Sequence, residues 1–233
     1  MARKLLEGTS AVIFDAGNTI ALPDWIRISR ITEQITGQRF DEKELQERIS
    51  AILSEADNDP DFLKRLAEKL ITVGWHYRRL YNDLGIIEQQ LEELIAALNS
   101  EHQKRHLWTK LNDDAIQVFE ELKRLGKKLA VISNSEDGQV KALLRQMGVD
   151  KYFDLYIDSF EIGYAKPDPR IFLHTINELK VLPHETVYIG DMYMQDVLGA
   201  QRAGLKAILY DPLELRIEPD VIRISSLREL ISQ

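Results

Sequence analysis

Short, uninterrupted apolar runs alternate with amphipathic segments along this chain. The four strongest runs are Ala11–Phe14, Leu129–Ile132, Val187–Ile189 and Ala207–Tyr210. A run without apolar–polar alternation is typical of a parallel strand that is buried on both faces. Weaker runs at 155–158 and 221–224 predict two further strands, the second of them at the edge of the sheet.

Helical periodicity follows several of these runs. Apolar residues recur every three or four positions over 113–125, 139–147 and 195–203, and a glycine directly follows each segment. Glycine just past the last periodic residue is a common signal for the end of a helix. Strands that alternate with helices predict an α/β fold with a doubly wound parallel sheet, which is a Rossmann-like architecture.

A long helical stretch separates the first strand from the rest of this pattern. It predicts four helices, at 24–36, 41–55, 61–84 and 88–106. We therefore expect two domains: residues 1–21 and 108–233 form the α/β core, and residues 22–107 form an inserted four-helix domain.

Composition narrows the possible functions. The chain has 233 residues, a net charge of -8 and no cysteine, which excludes disulfides and thiolate zinc sites. An acidic balance argues against nucleic-acid or anionic-membrane partners, because both need clustered Lys and Arg. The segment Met1–Gly8 lacks the apolar core of a secretory signal, and the longest apolar run, Leu94–Leu98, is far shorter than the roughly 20 residues of a membrane span. We expect a cytoplasmic protein, either monomer or homodimer.

Polar residues stand where the predicted strands end, namely Asp15, Ser133, Asn134 and Asp191. In an open parallel sheet, ligands bind at the carboxyl ends of the strands, so these residues are expected to converge. Two carboxylates there would repel each other unless a cation lies between them, and oxygen ligands suit Mg²⁺. Asp196 adds a third carboxylate, and Lys166, in a loop with two prolines, could neutralise charge beside a phosphate.

Four motifs in this order resemble those of the haloacid dehalogenase superfamily of aspartate-nucleophile hydrolases. They are AVIFDAGNTI at 11–20, VISNS at 131–135, GYAKPDPRIF at 163–172 and YIGDMYMQD at 188–196. More narrowly, the chain resembles the subfamily with a helical cap inserted after the first strand. The resemblance covers nearly the whole chain and implies that residues 22–107 are the cap.

The resemblance implies a phosphatase that acts on a small phosphorylated metabolite through an aspartyl-phosphate intermediate. Asp15 would attack phosphorus, a step that splits hydrolysis into two easier displacements. Mg²⁺ would be held by Asp15, the Gly17 carbonyl and Asp191, with Asp196 as a further ligand or as support. Lys166 and the cation would neutralise the transferring group.

The same resemblance implies the substrate contacts. Ser133 and Lys166 would bind the phosphoryl oxygens, and Thr19 would steady the nucleophile loop. Further substrate contacts are expected from Asn18, Asn134 and Trp25.

Gly17 departs from the phosphatase pattern, in which a second Asp lies two residues after the nucleophile and transfers protons. General acid–base catalysis is worth about 10² to 10⁴ in rate. The chain could therefore hydrolyse only phosphates with good leaving groups, use another proton donor, or bind without turnover. Dehalogenase- or phosphonatase-type chemistry is the other alternative, because relatives of those types also lack this Asp.

Overall fold

The structure is a computed structural model that describes residues 5–67, 71, 74–135, 138–215 and 220–232. The chain divides into two compact units. One contains Met1–Leu22 and Lys110–Gln233, and the other contains Pro23–Thr109. The roles of these units as catalytic core and cap stay predictions.

The first unit is built on a parallel sheet. Its strands are β1 Ala11–Asp15, β2 Ala21–Leu22, β3 Lys110–Leu111, β4 Lys128–Ser133, β5 Leu155–Asp158, β6 Thr186–Gly190, β7 Lys206–Tyr210 and β8 Ile222–Ile224. Six of them form one sheet in the order β5-β4-β1-β6-β7-β8, with every neighbouring pair parallel. β2 and β3 form a separate antiparallel pair. This topology confirms the predicted α/β fold with a parallel sheet.

Both faces of the sheet are covered, which explains the uninterrupted apolar runs. Along β1, Val12 and Phe14 point into one apolar cluster, whereas Ala11 and Ile13 point into another. All four side chains are fully buried. Side chains of a strand alternate between its faces, so a strand between two cores must be apolar at every position.

The second unit is helical. Its helices are α1 Trp25–Thr36, α2 Glu42–Asp57, α3 Pro60–Ala67, α4 Trp75–Asp83 and α5 Glu88–Lys104. The prediction of one helix over 61–84 was wrong, because Gly74 adopts a left-handed conformation (φ 75°) immediately before α4. Glycine takes this conformation without steric cost, and an α-helix cannot continue through it. Residues 68–70 and 72–73 of the predicted helix lie outside the described residues.

The helices of the first unit are short. They are α6 Ala115–Arg124, α7 Val140–Gln146, α8 Ser159–Ile162, α9 Pro169–Leu179 and α10 Gly199–Arg202. The helix predicted over 195–203 is different in the structure: a wide π-helical turn at Tyr193–Leu198 precedes α10. No helix in the described part of the chain is both long and apolar enough to cross a membrane.

Candidate active site

Three carboxylates converge at the carboxyl edge of the sheet. Asp15 ends β1, Asp191 directly follows β6, and Asp196 lies in the π-helical turn. Each offers an oxygen, and these oxygens all lie within 4.8 Å of one another. Asp15 and Asp196 are buried, whereas Asp191 is half-buried. Such a set of oxygen ligands could hold a hard divalent cation.

The π-helical turn directs Asp196 into this site. The carbonyl of Met192 accepts hydrogen bonds from the amides of both Asp196 (2.9 Å) and Val197 (3.2 Å), which widens the turn. The Met192 amide in turn donates to Asp196 Oδ2 at 2.9 Å. Gly190 is needed beside it, because a Cβ at that position would overlap Cγ and Oδ2 of Asp196. Wide turns of this kind are frequent at functional sites.

Lys166 places a positive charge among the carboxylates. Its side chain is buried, and its ammonium group donates hydrogen bonds to Asp15 Oδ1 and to Asp196 Oδ1, the second at 2.7 Å. A third bond, at 3.1 Å, goes to the hydroxyl of Tyr188. An ammonium has three donors, so each donor of Lys166 has an oxygen partner.

Burial and charge shift the ionisation of the site. Burial, helped by the negative charge of Asp196 and opposed by the ammonium of Lys166, raises the pKa of Asp15 to about 7. Burial alone would lower the pKa of Lys166, but Asp15 and Asp196 outweigh it and hold that pKa above its usual value. Burial also raises the pKa of Tyr188 well above 10. Lys166 and Tyr188 are therefore protonated at neutral pH.

Asn134 holds the backbone of Lys166. Its Oδ1 accepts from the Lys166 amide at 2.9 Å, and its Nδ2 donates to the Lys166 carbonyl at 3.0 Å. Nδ2 also donates to Gln195 Oε1 at 3.0 Å. Ser133 ends β4, one residue past Ile132, which is the register partner of Asp15. The Asn134 side chain thus joins the end of β4 to the lysine loop, and its expected contact with substrate stays a prediction.

The loop after Asp15 is tightly closed. The amide of Asn18 donates to the Ala21 carbonyl at 2.8 Å, and Asn18 itself adopts a left-handed conformation (φ 55°) that Asn tolerates better than most residues. Gly17 is half-buried on this loop. Thr19 is fully buried, and its Oγ1 has no hydrogen-bond partner among the described residues.

Trp25 lies in the helical unit, at the start of α1. Only 8 % of its surface is exposed, and it packs in the apolar cluster of that unit with Ile28 and Tyr77. Its expected role in substrate binding stays a prediction.

Two residues of the site were missed by the sequence analysis. Tyr188 lies inside β6, where its hydroxyl bonds Lys166 and also donates to Asp196 Oδ1 at 2.9 Å. Asn112 is buried, and its Nδ2 donates to the Thr19 carbonyl and to the Tyr210 hydroxyl, both at 2.9 Å. The sequence offered a signal for Tyr188: it is a tyrosine within an apolar strand, and a buried phenol needs a hydrogen-bond partner.

The chain is similar in sequence to known phosphatases and in structure to a solved one. Over 164 residues the chain is 32 % identical to glyceraldehyde 3-phosphate phosphatase of Methanopyrus kandleri, an alignment that covers 67 % of this chain and 70 % of that protein. It is 30 % identical over 158 residues to phosphoserine phosphatase of Thermus thermophilus, covering 66 % and 61 % of the two chains. The structure of a HAD phosphatase from Thermococcus onnurineus is similar over 95 % of this chain and 96 % of that one, with 27 % identity and a TM-score of 0.60.

A family model for haloacid dehalogenase-like hydrolases matches residues 9–204. The match spans every strand of the sheet up to β6 and includes Asp15, Lys166, Asp191 and Asp196. The chain therefore belongs to the haloacid dehalogenase-like hydrolase family.

Proposed function

We propose that this chain is a magnesium-dependent phosphatase that hydrolyses a small phosphorylated metabolite, with Asp15 as nucleophile and the helical unit as cap. The observation that carries the proposal is the position of the Lys166 ammonium, bonded to both Asp15 and Asp196 within a set of three carboxylates. A nucleophile, a fixed cation and a set of metal-ligand oxygens are the parts that phosphoryl transfer needs.

In the proposed reaction, two displacements occur in turn at the phosphorus atom. An oxygen of Asp15 forms a bond to phosphorus while the bond between phosphorus and the leaving oxygen breaks, which leaves an acyl phosphate on Asp15. Water then attacks that phosphorus, the carboxylate of Asp15 leaves, and inorganic phosphate is released. Lys166 and the hydroxyl and amide of Ser133 are assigned to the phosphoryl oxygens.

The donor set fits a magnesium ion, because it consists of carboxylate oxygens. Asp15, Asp191 and the Gly17 carbonyl would hold it, with Asp196 as ligand or support. When bound, the ion neutralises negative charge on the nucleophile and on the phosphoryl group.

Similar proteins support the reaction class. The two curated relatives named above are a glyceraldehyde 3-phosphate phosphatase and a phosphoserine phosphatase, so each name describes the hydrolysis of a small phosphate ester. Their different names do not select one substrate for this chain. We assign small phosphorylated metabolites as the substrate class. We also propose that the chain prefers good leaving groups, because Gly17 has no side chain that could transfer a proton.

The experiment measures hydrolysis of p-nitrophenyl phosphate and acetyl phosphate with Mg²⁺ and with EDTA. We expect turnover that requires Mg²⁺ and that Asp15→Asn abolishes, because an amide is a poor nucleophile and carries no charge. Asp113→Asn is the matched control, since Asp113 is an exposed carboxylate of the same unit. Absence of turnover in the wild-type protein, or equal rates for wild type and Asp15→Asn, would overturn the proposal.

A further inference from the structure

Tyr188 combines a core position with a contact to the charged site. It lies in the middle of β6, its side chain is fully buried, and its ring packs edge-to-face on Phe172 with ring centroids 5.0 Å apart. At the far end of the ring, the hydroxyl contacts the charged groups of Lys166 and Asp196. An apolar side chain of similar size would fill the same space, so the hydroxyl itself calls for an explanation.

The hydroxyl closes a ring of hydrogen bonds. It donates to Asp196 Oδ1 at 2.9 Å and accepts from the Lys166 ammonium at 3.1 Å, while Lys166 donates to the same Asp196 oxygen at 2.7 Å. Each of the three side chains is thus bonded to the other two. Because Met192 binds the second oxygen of Asp196, rotation of this carboxylate would break bonds at both of its oxygens.

This ring restrains a side chain that is otherwise flexible. Lysine carries its charge on a four-carbon stem with large rotamer entropy, so an unrestrained ammonium would sample several positions. The bond to Asp15 alone would not hold it there during the reaction, because the proposed step makes Asp15 an acyl phosphate. Tyr188 and Asp196 are partners that remain chemically unchanged throughout.

We propose that Tyr188 is a positioning residue, whose hydroxyl holds the Lys166 ammonium where the phosphoryl oxygens bind. This inference rests on the proposed phosphatase function and adds a residue to it. Tyr188 acts through Lys166 and Asp196 and need not touch the substrate.

The test compares wild type, Tyr188→Phe and Tyr152→Phe. Tyr188→Phe keeps the ring and removes only the hydroxyl. Tyr152 is the matched control, because it is a buried tyrosine of the same unit whose hydroxyl donates to Glu120 Oε1 at 2.9 Å, away from the carboxylates. The measurements are kcat and KM for p-nitrophenyl phosphate with Mg²⁺, and the affinity for inorganic phosphate by calorimetry.

We expect Tyr188→Phe to lower kcat by about 10-fold, as is usual when a group that orients site residues is removed, and to weaken phosphate binding. Tyr152→Phe should stay within twofold of wild type. In a Lys166→Met background, Tyr188→Phe should have little further effect, because the hydroxyl would have no ammonium left to hold. If Tyr188 had only a structural role, Tyr188→Phe would lower the melting temperature. Its effect on kcat and phosphate binding would then be the same with and without Lys166.

Two results would overturn the inference alone: kcat and phosphate affinity of Tyr188→Phe within twofold of wild type, or a full effect of Tyr188→Phe in the Lys166→Met background. If wild type binds no phosphate in a Lys166-dependent way, the inference and the proposed function both fail. Should Tyr188→Phe not fold, a crystal structure of the wild-type protein decides: a Tyr188 hydroxyl beyond hydrogen-bond distance of the Lys166 ammonium would overturn the inference.

Discussion

Asp15 and Asp196 share the single ammonium of Lys166, so these three buried side chains carry an excess negative charge when both carboxylates are ionised. Burial makes that charge costly, and it raises the pKa of Asp15 to about 7. In the metal-free protein, a proton on Asp15 is one way to relieve the excess. A divalent cation at the same oxygens would be another.

The raised pKa of Asp15 predicts how stability depends on pH. Between the unfolded pKa, near 3.8, and the folded pKa, about 7, the folded state binds more protons than the unfolded state. The free energy of unfolding should therefore fall as pH rises through this window, by up to about 1.4 kcal/mol per pH unit for one proton. Asp15→Asn should remove this contribution, and urea unfolding in EDTA across the window measures it.

The control for this pH experiment is Asp113→Asn, which alters an exposed carboxylate in the same unit. Its curve of unfolding free energy against pH should run parallel to that of wild type. The free energy of unfolding of Asp15→Asn minus that of wild type should instead increase as pH rises, because only wild type loses the contribution of the Asp15 proton. Parallel curves for all three proteins would contradict the raised pKa of Asp15.

Gly17 permits a gain-of-function prediction. Gly17→Asp should raise kcat for alkyl phosphates such as glycerol phosphate, because a carboxyl group there could protonate the poor leaving group. Because general acid–base catalysis contributes about 10²- to 10⁴-fold in rate, we expect kcat for these substrates to rise about 100-fold or more. Steady-state kinetics on glycerol phosphate and p-nitrophenyl phosphate measure it, and the rate for p-nitrophenyl phosphate should change much less.

Gly17→Asn separates proton transfer from shape in that experiment. Asn has nearly the size of Asp but cannot donate an acidic proton, so it should give no gain. An equal gain from both variants, or none from Asp, would show that the missing carboxyl group is not what limits the reaction.

Individual residues of the site differed in how far the sequence could identify them. Asp15 and Asp191 were recognisable because carboxylates at strand ends are poor core residues, and Asp196 because it follows Asp191 by five residues in the next helical segment. Tyr188 and Asn112 were not identified, because their roles depend on partners such as Asp196 and Thr19 that only the folded chain brings near. Asn134 was expected to contact substrate, and its bonds to the Lys166 backbone could not be foreseen from its spacing.

Among the elements, β6 and the π-helical turn after it shape the site most directly. Gly190 ends β6, and its missing side chain leaves room for the Asp196 carboxylate. The six strands of the parallel sheet were predicted to within one residue at each end, because a doubly covered sheet demands continuous apolar runs. The two-residue strands β2 and β3 were not predicted. The π-helical turn was not predicted, since a 3.6-residue period over 195–203 is compatible with both a regular helix and a locally widened one.

The contact between Gly190 and Asp196 predicts the effect of one added methyl group. Gly190→Ala should displace the Asp196 carboxylate, because the new Cβ would overlap it, and should weaken Mg²⁺ binding by about 10- to 100-fold. Calorimetric titration with Mg²⁺ measures this affinity.

A second glycine variant controls for a general loss of stability. Gly126 adopts a positive φ of 73°, and a Cβ there would meet nothing within 4 Å. Gly126→Ala should therefore lower the melting temperature through backbone strain alone and leave Mg²⁺ affinity unchanged. If Gly190→Ala also leaves the affinity unchanged, Asp196 does not support the metal site.

Over the whole molecule, metal binding and folding should be linked. An ion that binds only the folded state stabilises it by about 2.7 kcal/mol when its free concentration is 100 times its Kd. We expect Mg²⁺ to raise the melting temperature, and we expect the rise to shrink below about pH 7, where a proton competes for Asp15. Thermal scans with Mg²⁺ and with NaCl at equal ionic strength measure the effect, and an equal rise with both salts would contradict specific binding.

The strand order also has a consequence for the order in which the protein is made. β1 pairs with β4 and β6, and Asp15 meets its ammonium partner 151 residues later along the chain. The helical unit, Pro23–Thr109, is one continuous segment, so all of it is synthesised before any of those partners. Most of the chain is therefore translated between Asp15 and these partners, and a nascent chain that stops short of Asp196 has Asp15 but lacks part of the carboxylate set.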